Sequence, residues 1–245
     1  MSALLRAELL KLRTTRTFVA LVGTALGLSL LVVGLSTALG DEWSMQDVRD
    51  LFTADFSSFF ILLLGVIGMA GEWRHKTITG TVLAAPRRVR LLGAKTISYA
   101  LAGTVLSLIV TLVIMAEGTL ILSSRGLTTI GLADLADVLW RNLAVAATTG
   151  AIGVCIGGLV RNQVVAIVGL LVFSFVIEPA VLGVAPDVGR FGPLVGAPSG
   201  IQDVGNPVDA DAPLLSPAVS LLVVVGWIGL AFAVTAELLR RRDLV

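Results

Sequence analysis

A chain of 245 residues with 56% apolar and only 14% charged residues, and a mean hydropathy of +0.95, departs from soluble proteins, in which about 25% of residues are charged. Its 18 Lys+Arg against 17 Asp+Glu give a formal net charge of +1, which excludes a strongly basic nucleic-acid binder. One cysteine, Cys155, and one histidine, His75, exclude an intramolecular disulfide framework and leave too few soft ligands for a zinc or iron site.

The chain opens on a basic arm, residues 1–16. Leu5, Leu9 and Leu12 recur at helical spacing, Arg6 and Arg13 occupy another face, and Glu8, Lys11 and Arg16 complete the charged set. This pattern predicts an amphipathic helix in the lipid headgroup layer; the plainer alternative is a charged anchor. Six runs without Asp, Glu, Lys or Arg follow, at residues 17–40, 56–71, 96–116, 142–160, 162–177 and 212–236. A helix needs about 20 apolar residues to cross a hydrocarbon core of about 30 Å. The second and fifth runs reach that length only with residues 51–55 and 178–185 added at their outer ends. The first is too long for the apolar core of a signal peptide, about 7–15 residues, and reads as an uncleaved span. Glu117 falls at the outer interface, because 95–117 already covers about 33 Å as a helix. Between the fourth and fifth runs only Arg161 intervenes. A continuous helix over 142–177 would extend about 54 Å, so a tight turn is expected there. The fold class is therefore all-α, a polytopic membrane protein of six transmembrane helices in one domain, 1–245.

Orientation follows from the excess of Lys and Arg that cytoplasmic loops retain. The arm holds Arg6, Lys11, Arg13 and Arg16; the loop after the second span holds Arg74, Lys76, Arg87, Arg88, Arg90 and Lys95; the tight turn holds Arg161; the tail holds Arg240, Arg241 and Arg242. Those 14 face only Arg49, Arg125, Arg141 and Arg190 on the other side. Both termini are thus expected in the cytoplasm. Adding the acids gives +10 on that side (14 against Glu8, Glu72, Glu237 and Asp243) and −9 on the other (four against 13).

The cytoplasmic loop, residues 72–95, is longer than the usual helix connection of about 2–8 residues. Glu72 precedes a Trp73-Arg74-His75-Lys76 cluster. Ile78, Val82 and Leu83 share one face of a short helix that Pro86 ends, and Arg87, Arg88 and Arg90 lead into the next span. Such an element suits docking; a basic loop attracted to anionic lipid is the simpler reading. Gly23/Gly27 and Gly153/Gly157 fit small-xxx-small packing, within the subunit or between subunits.

In these two segments the chain resembles the permease subunits of type 2 ABC exporters, the ABC-2 family. The arm is similar to theirs at Glu8, Lys11 and Arg16, and the loop at Glu72, Thr77, Leu83-Ala84-Ala85-Pro86, Arg88 and Ala94-Lys95. The usual Gly before the Thr is Lys76 here, with Gly80-Thr81 following. The resemblance implies a permease that pairs with a second copy, a homodimer in the cell membrane. Each loop would seat on a separate ABC ATPase through Glu72, Arg74, Lys76, Thr77, Leu83, Pro86, Arg87 and Arg88. It implies no cofactor bound by this chain, with ATP and Mg held by the partner ATPase, and no partnership with nucleic acid; membrane lipids are the remaining partner. Consistent with that division, the sequence contains no G-x-x-x-x-G-K-[ST] phosphate loop. For residues 178–211, rich in Pro and Gly, the resemblance suggests re-entrant or interfacial helices; an exposed acidic loop is the alternative.

Ser199, flanked by glycines in GAPSG, lacks a base, since a serine nucleophile needs one nearby and His75 is expected across the membrane. Glu117 and Glu178 could serve in a proton relay, as intramembrane ionisable groups often do, but their place at span ends favours simple interfacial solvation. Two other function classes stay open: a secondary transporter driven by an ion gradient, for which no 3+3 repeat or midplane charge stands out, and a membrane anchor or sensor subunit without transport. The expected function is outward movement of an apolar or amphipathic substrate driven by a separate ATPase.

Overall fold

A computed structural model of the chain describes residues 2–74, 88–160, 162–208 and 212–241. It is 83% helical, and among the described residues there is no strand. The helices are α1 (Ser2–Thr14), α2 (Arg16–Leu39), α3 (Met45–Phe52), α4 (Ser57–Arg74), α5 (Arg88–Ser124), α6 (Leu132–Leu159), α7 (Gln163–Val172), α8 (Glu178–Val184), α9 (Pro186–Gly189), α10 (Gly196–Gln202) and α11 (Pro217–Arg241). Six stretches are long and apolar enough to cross a membrane, formed by α2, α3–α4, α5, α6, α7–α8 and α11. The six expected spans are all present, and the chain is a multi-pass membrane protein.

Helix α6 is the centre of the bundle. It packs on α4, α5, α10 and α11, and small residues on its faces permit this. A Cβ on Gly153 would collide with the Leu62 carbonyl oxygen of α4, and one on Gly157 would lie 2.6 Å from that of Val66. The backbones touch because no side chain intervenes. Gly23 and Gly27 of α2, by contrast, have open space where a Cβ would be, so only the second of the two glycine pairs packs within the chain.

Span ends differ from the uncharged runs in several places; α6, for one, begins at Leu132, well before its run at 142–160. Helix α5 has 37 residues, about 55 Å. It begins at Arg88, before the apolar run, and continues two turns past Glu117, because charged side chains do not interrupt backbone hydrogen bonding. The second span is broken: α3, capped by a reciprocal Ser44–Asp47 box, stops at Phe52, and α4 restarts at Ser57, whose N–H donates to Asp55 Oδ1 at 2.8 Å. In the fifth span, Phe173–Ile177 form a π turn in which the Glu178 N–H donates to the Phe173 carbonyl. Pro179 lacks an N–H and its ring crowds the carbonyl four residues back, so the wider turn accommodates it. Helix α6 ends at Leu159 and α7 starts at Gln163, where Asn162 Oδ1 accepts from Val164 N and Val165 N at 2.9 and 3.3 Å.

The two ends of the bundle have different chemistry. One gathers α1, the end of α4, the starts of α5 and α7, and the end of α11, and is basic. The other gathers α3, the ends of α2 and α5, the start of α6, and α8 to α10, and is acidic. Its four arginines are all engaged. Arg49 bridges Asp134 and Asp137 of α6 at 2.5 and 2.6 Å. Arg125 donates to the carbonyls of Thr37 and Gly40 at the close of α2, a cation at a helix C-terminus. Arg141 pairs with Asp137 and Asp203, and Arg190 with Asp187.

Candidate functional site at the basic end

Of the segment 178–211, the described residues 178–208 include α8 to α10 and are not merely an exposed loop. Glu178, expected to be a solvated span end, is 3% exposed. Its carboxylate accepts from the backbone N–H groups of Leu194, Val195 and Gly196, with Val195 at 2.8 Å and Gly196 at 3.0 Å. Three donors at one carboxylate compensate its burial, and the contact ties the fifth span to the segment that returns to α10.

At the basic end the arm forms helix α1, which packs against α5. Its inward face is Glu8 and Leu12, both buried; Leu5 is half-buried, while Leu9 and Lys11 are exposed and Arg16 opens α2 on the surface. The apolar stripe that predicted a helix lying in lipid is therefore divided, and its Leu12 edge joins a core with Leu64, Met69, Leu92, Tyr99 and Leu239.

Glu8 enters that interface because of Lys95. The Lys95 ammonium is 2% exposed and lies 2.6 Å from Glu8 Oε2 and 2.9 Å from Glu72 Oε1. It also approaches the Gly68 carbonyl at 3.4 Å and lies 5.9 Å from the centre of the Tyr99 ring. Lys11 closes the cluster from outside, 2.9 Å from Glu8 and 3.4 Å from Glu72. Two ammonium groups and two carboxylates thus neutralise one another, as buried charges must. Burial alone would raise the Glu8 carboxyl, but the Lys95 and Lys11 ammonium groups outweigh it and hold the group below the ordinary glutamate range. A cavity of about 460 Å³ opens beside the cluster, lined by Glu8, Lys11, Gly68, Glu72, Lys95 and Gln163 among others.

The geometry joins both ends of segment 72–95. Glu72 belongs to the last turn of α4 and Lys95 to α5, and their bond draws the two helices together. Arg74 closes α4 and donates to Gln163 of α7 at 3.4 Å. Arg88 opens α5 and donates to the Leu239 carbonyl near the end of α11 at 2.5 Å. Lys76, Thr77, Leu83, Pro86 and Arg87, and with them the short helix expected in the loop, lie outside the described residues.

A second polar group of side chains sits inside the bundle near the acidic end, and the sequence reading missed it. Asp55, 5% exposed, accepts from Ser107 Oγ and Thr111 Oγ1 of α5 at 2.5 and 2.8 Å. Asn142 of α6 donates to Thr111 Oγ1 at 3.2 Å and to the Phe52 carbonyl at 2.9 Å, and Gln202 of α10 donates to Asn142 Oδ1 at 3.1 Å. Ser107 and Thr111, four residues apart and so on one helix face, were the available signal.

No curated protein matches the chain. A family described as ABC-2 family transporter protein matches residues 4–177, from the arm through the fifth span. That match takes in the arm from residue 4, both described ends of segment 72–95, and Asp55, Ser107, Thr111 and Asn142 but not Gln202, and the chain belongs to the ABC-2 transporter family, a membrane permease component.

Proposed function

We propose that this chain is the permease subunit of an ATP-driven ABC exporter, with no nucleotide site of its own, whose 72–95 segment receives the stroke of a partner ATPase. The observation that carries this reading is the Lys95 bond to both Glu8 and Glu72. It makes α1, α4 and α5 one body at the foot of the segment, so a push on the segment tilts three helices together and cannot be absorbed by one helix sliding on its neighbours. In this reading Glu72, Arg74, Lys76, Thr77, Leu83, Pro86, Arg87 and Arg88 couple to the ATPase, which holds ATP and Mg. Helix α1 rests at the headgroup layer with Leu5 and Leu9 toward lipid, and Arg16, at the start of α2, reaches the same layer. Both termini lie in the cytoplasm, since 14 of the 18 Lys and Arg belong to that side. The complex is a homodimer of permeases in the cell membrane, and the cargo that it moves outward is apolar or amphipathic.

The test is capture of an ABC ATPase with the detergent-solubilised chain, followed by ATP hydrolysis and transport in vesicles. Replacing Arg87 and Arg88 with alanine is expected to leave ATPase capture measurable and cut ATP-dependent transport about tenfold or more. Transport by the purified chain alone down an ion gradient, with no ATPase bound, would sink the reading.

A further inference from the structure

The Asp55 group is a charge without a counter-charge. Among the described residues no Lys or Arg forms an ion pair with it, although it is buried and every other buried carboxylate near the bundle's ends has either ammonium partners, as Glu8 and Glu72 do, or three backbone donors, as Glu178 does. The oxygens around it converge from three directions: Asp55 itself from the α3–α4 break, Ser107 and Thr111 from α5, and Ser57 from the first turn of α4. Ser57 is fully buried, its backbone N–H donates to the Asp55 carboxylate, and its hydroxyl stands beside that carboxylate with no other partner. The carboxylate thus has hydrogen-bond donors but, among the described residues, no cation that neutralises it.

We propose that Asp55, Ser57, Ser107 and Thr111 form a binding site for one alkali cation of the size of Na+. The donor set is all oxygen, which suits a hard cation and not a transition metal. A single carboxylate supplies one negative charge, so a monovalent ion neutralises the site, whereas a divalent ion would leave a net positive charge buried. Ser107 Oγ and Thr111 Oγ1 both lie within 2.8 Å of one carboxylate oxygen, and such close oxygen spacing favours the smaller alkali ion. When the ion enters, the hydroxyl protons of Ser107 and Thr111 turn from Asp55 to the carbonyls one turn back in their own helix, a common bond for Ser and Thr in helices, and present lone pairs to the ion. Asn142 stays bound to the Phe52 carbonyl and holds Thr111 in place. Because the site joins α3, α4, α5 and α6, its occupancy would stiffen the broken second span against the centre of the bundle.

The experiment is thermal unfolding of the full-length chain in detergent, followed by its four tryptophans, in NaCl, KCl and choline chloride at equal ionic strength. The expected result is a saturable rise in Tm with Na+, about 3–6 °C at ten times the dissociation constant, that is smaller in K+ and lost in Asp55→Asn. Ser57→Ala removes only the Ser57 hydroxyl. A purely structural role would shift its Tm equally in every salt and leave the Na+ dependence intact, whereas a cation site loses Na+ affinity severalfold. Should Asp55→Asn fail to fold, Ser57→Ala decides alone. Equal Tm in the three salts, a Na+ shift undiminished in Ser57→Ala, or a stabilisation that follows pH and ignores Na+ would each overturn the proposal, the last in favour of a proton.

Discussion

Lys95 and Asp55 are both buried charges in a bundle of apolar helices, and both stand where several helices meet, yet they are compensated in different ways. Lys95 is met by two carboxylates and a carbonyl, and its cluster sums to zero charge within one set of side chains. Asp55 is met by hydroxyls and an amide N–H, dipoles that solvate an anion without neutralising it. The first arrangement is complete and rigid, which suits a joint that transmits force. The second keeps a negative charge that a small cation or proton can occupy and leave, which suits a site whose state changes. Intramembrane ionisable groups of the second kind are expensive and commonly functional.

The largest expected effect breaks the first half of that comparison. Lys95→Met takes from the buried Glu8 and Glu72 the ammonium that both of them bond. Removing one partner of a buried ion pair costs about 3–5 kcal/mol, so the variant is expected to lose about 10 °C in Tm or fail to yield monodisperse protein. Adding Glu8→Gln and Glu72→Gln to Lys95→Met removes the stranded charges and is expected to restore most of the Tm. A triple variant no more stable than the single one would mean that the ammonium acts through its own packing, not by neutralising the carboxylates.

Which parts of this were legible in the sequence follows from the range of the interactions. The spans were legible because a membrane crossing is a local property of about 20 residues, and α2, Arg16–Leu39, nearly coincides with the run 17–40 that predicted it. The ends were less so, since Arg74 and Arg88 continue their helices past the apolar run with their side chains turned to Gln163 and to the Leu239 carbonyl. Glu8, Lys11 and Glu72 stood out by composition, but that Lys95 joins them could not be read, as 87 residues separate it from Glu8. Asp55 was absorbed into the flank of a span because one Asp at the edge of an apolar run looks solvated. Only the fold brings α5 and α6 across it.

A smaller effect sharpens the second half. Thr111→Val keeps the shape of the side chain and removes the hydroxyl that donates to Asp55 and accepts from Asn142. The carboxylate retains Ser107 Oγ and Ser57 N, and Asn142 retains the Phe52 carbonyl, so no group is left wholly unbonded. The expected cost is about 1–3 kcal/mol, read as a Tm fall of several degrees with the chain still monodisperse. A loss as large as that of Lys95→Met would show that the hydroxyl network is as rigid as the ion cluster, and the contrast between the two ends would fail.

The smallest effect lies in pH. Glu8 has a lower pKa in the folded chain than its ordinary value of 4.5, held down by Lys95 and Lys11 against the opposing effect of burial. A group of this sign stabilises the fold fully above its unfolded pKa, and that contribution is lost as pH falls through the lowered folded value. Glu8→Gln replaces a charge-assisted bond to Lys95 with a neutral one and leaves Glu72 as the ammonium's counter-charge. The expected cost at pH 7 is on the order of 1 kcal/mol, the difference between the two kinds of hydrogen bond. The gap in Tm between parent and variant should then narrow as pH drops below 4.5, because the parent's carboxylate becomes protonated too. If the gap kept its neutral-pH size throughout the acid range, Glu8 would hold α1 to α5 by its shape and packing, and the charge of the cluster would rest on Glu72 and Lys95 alone.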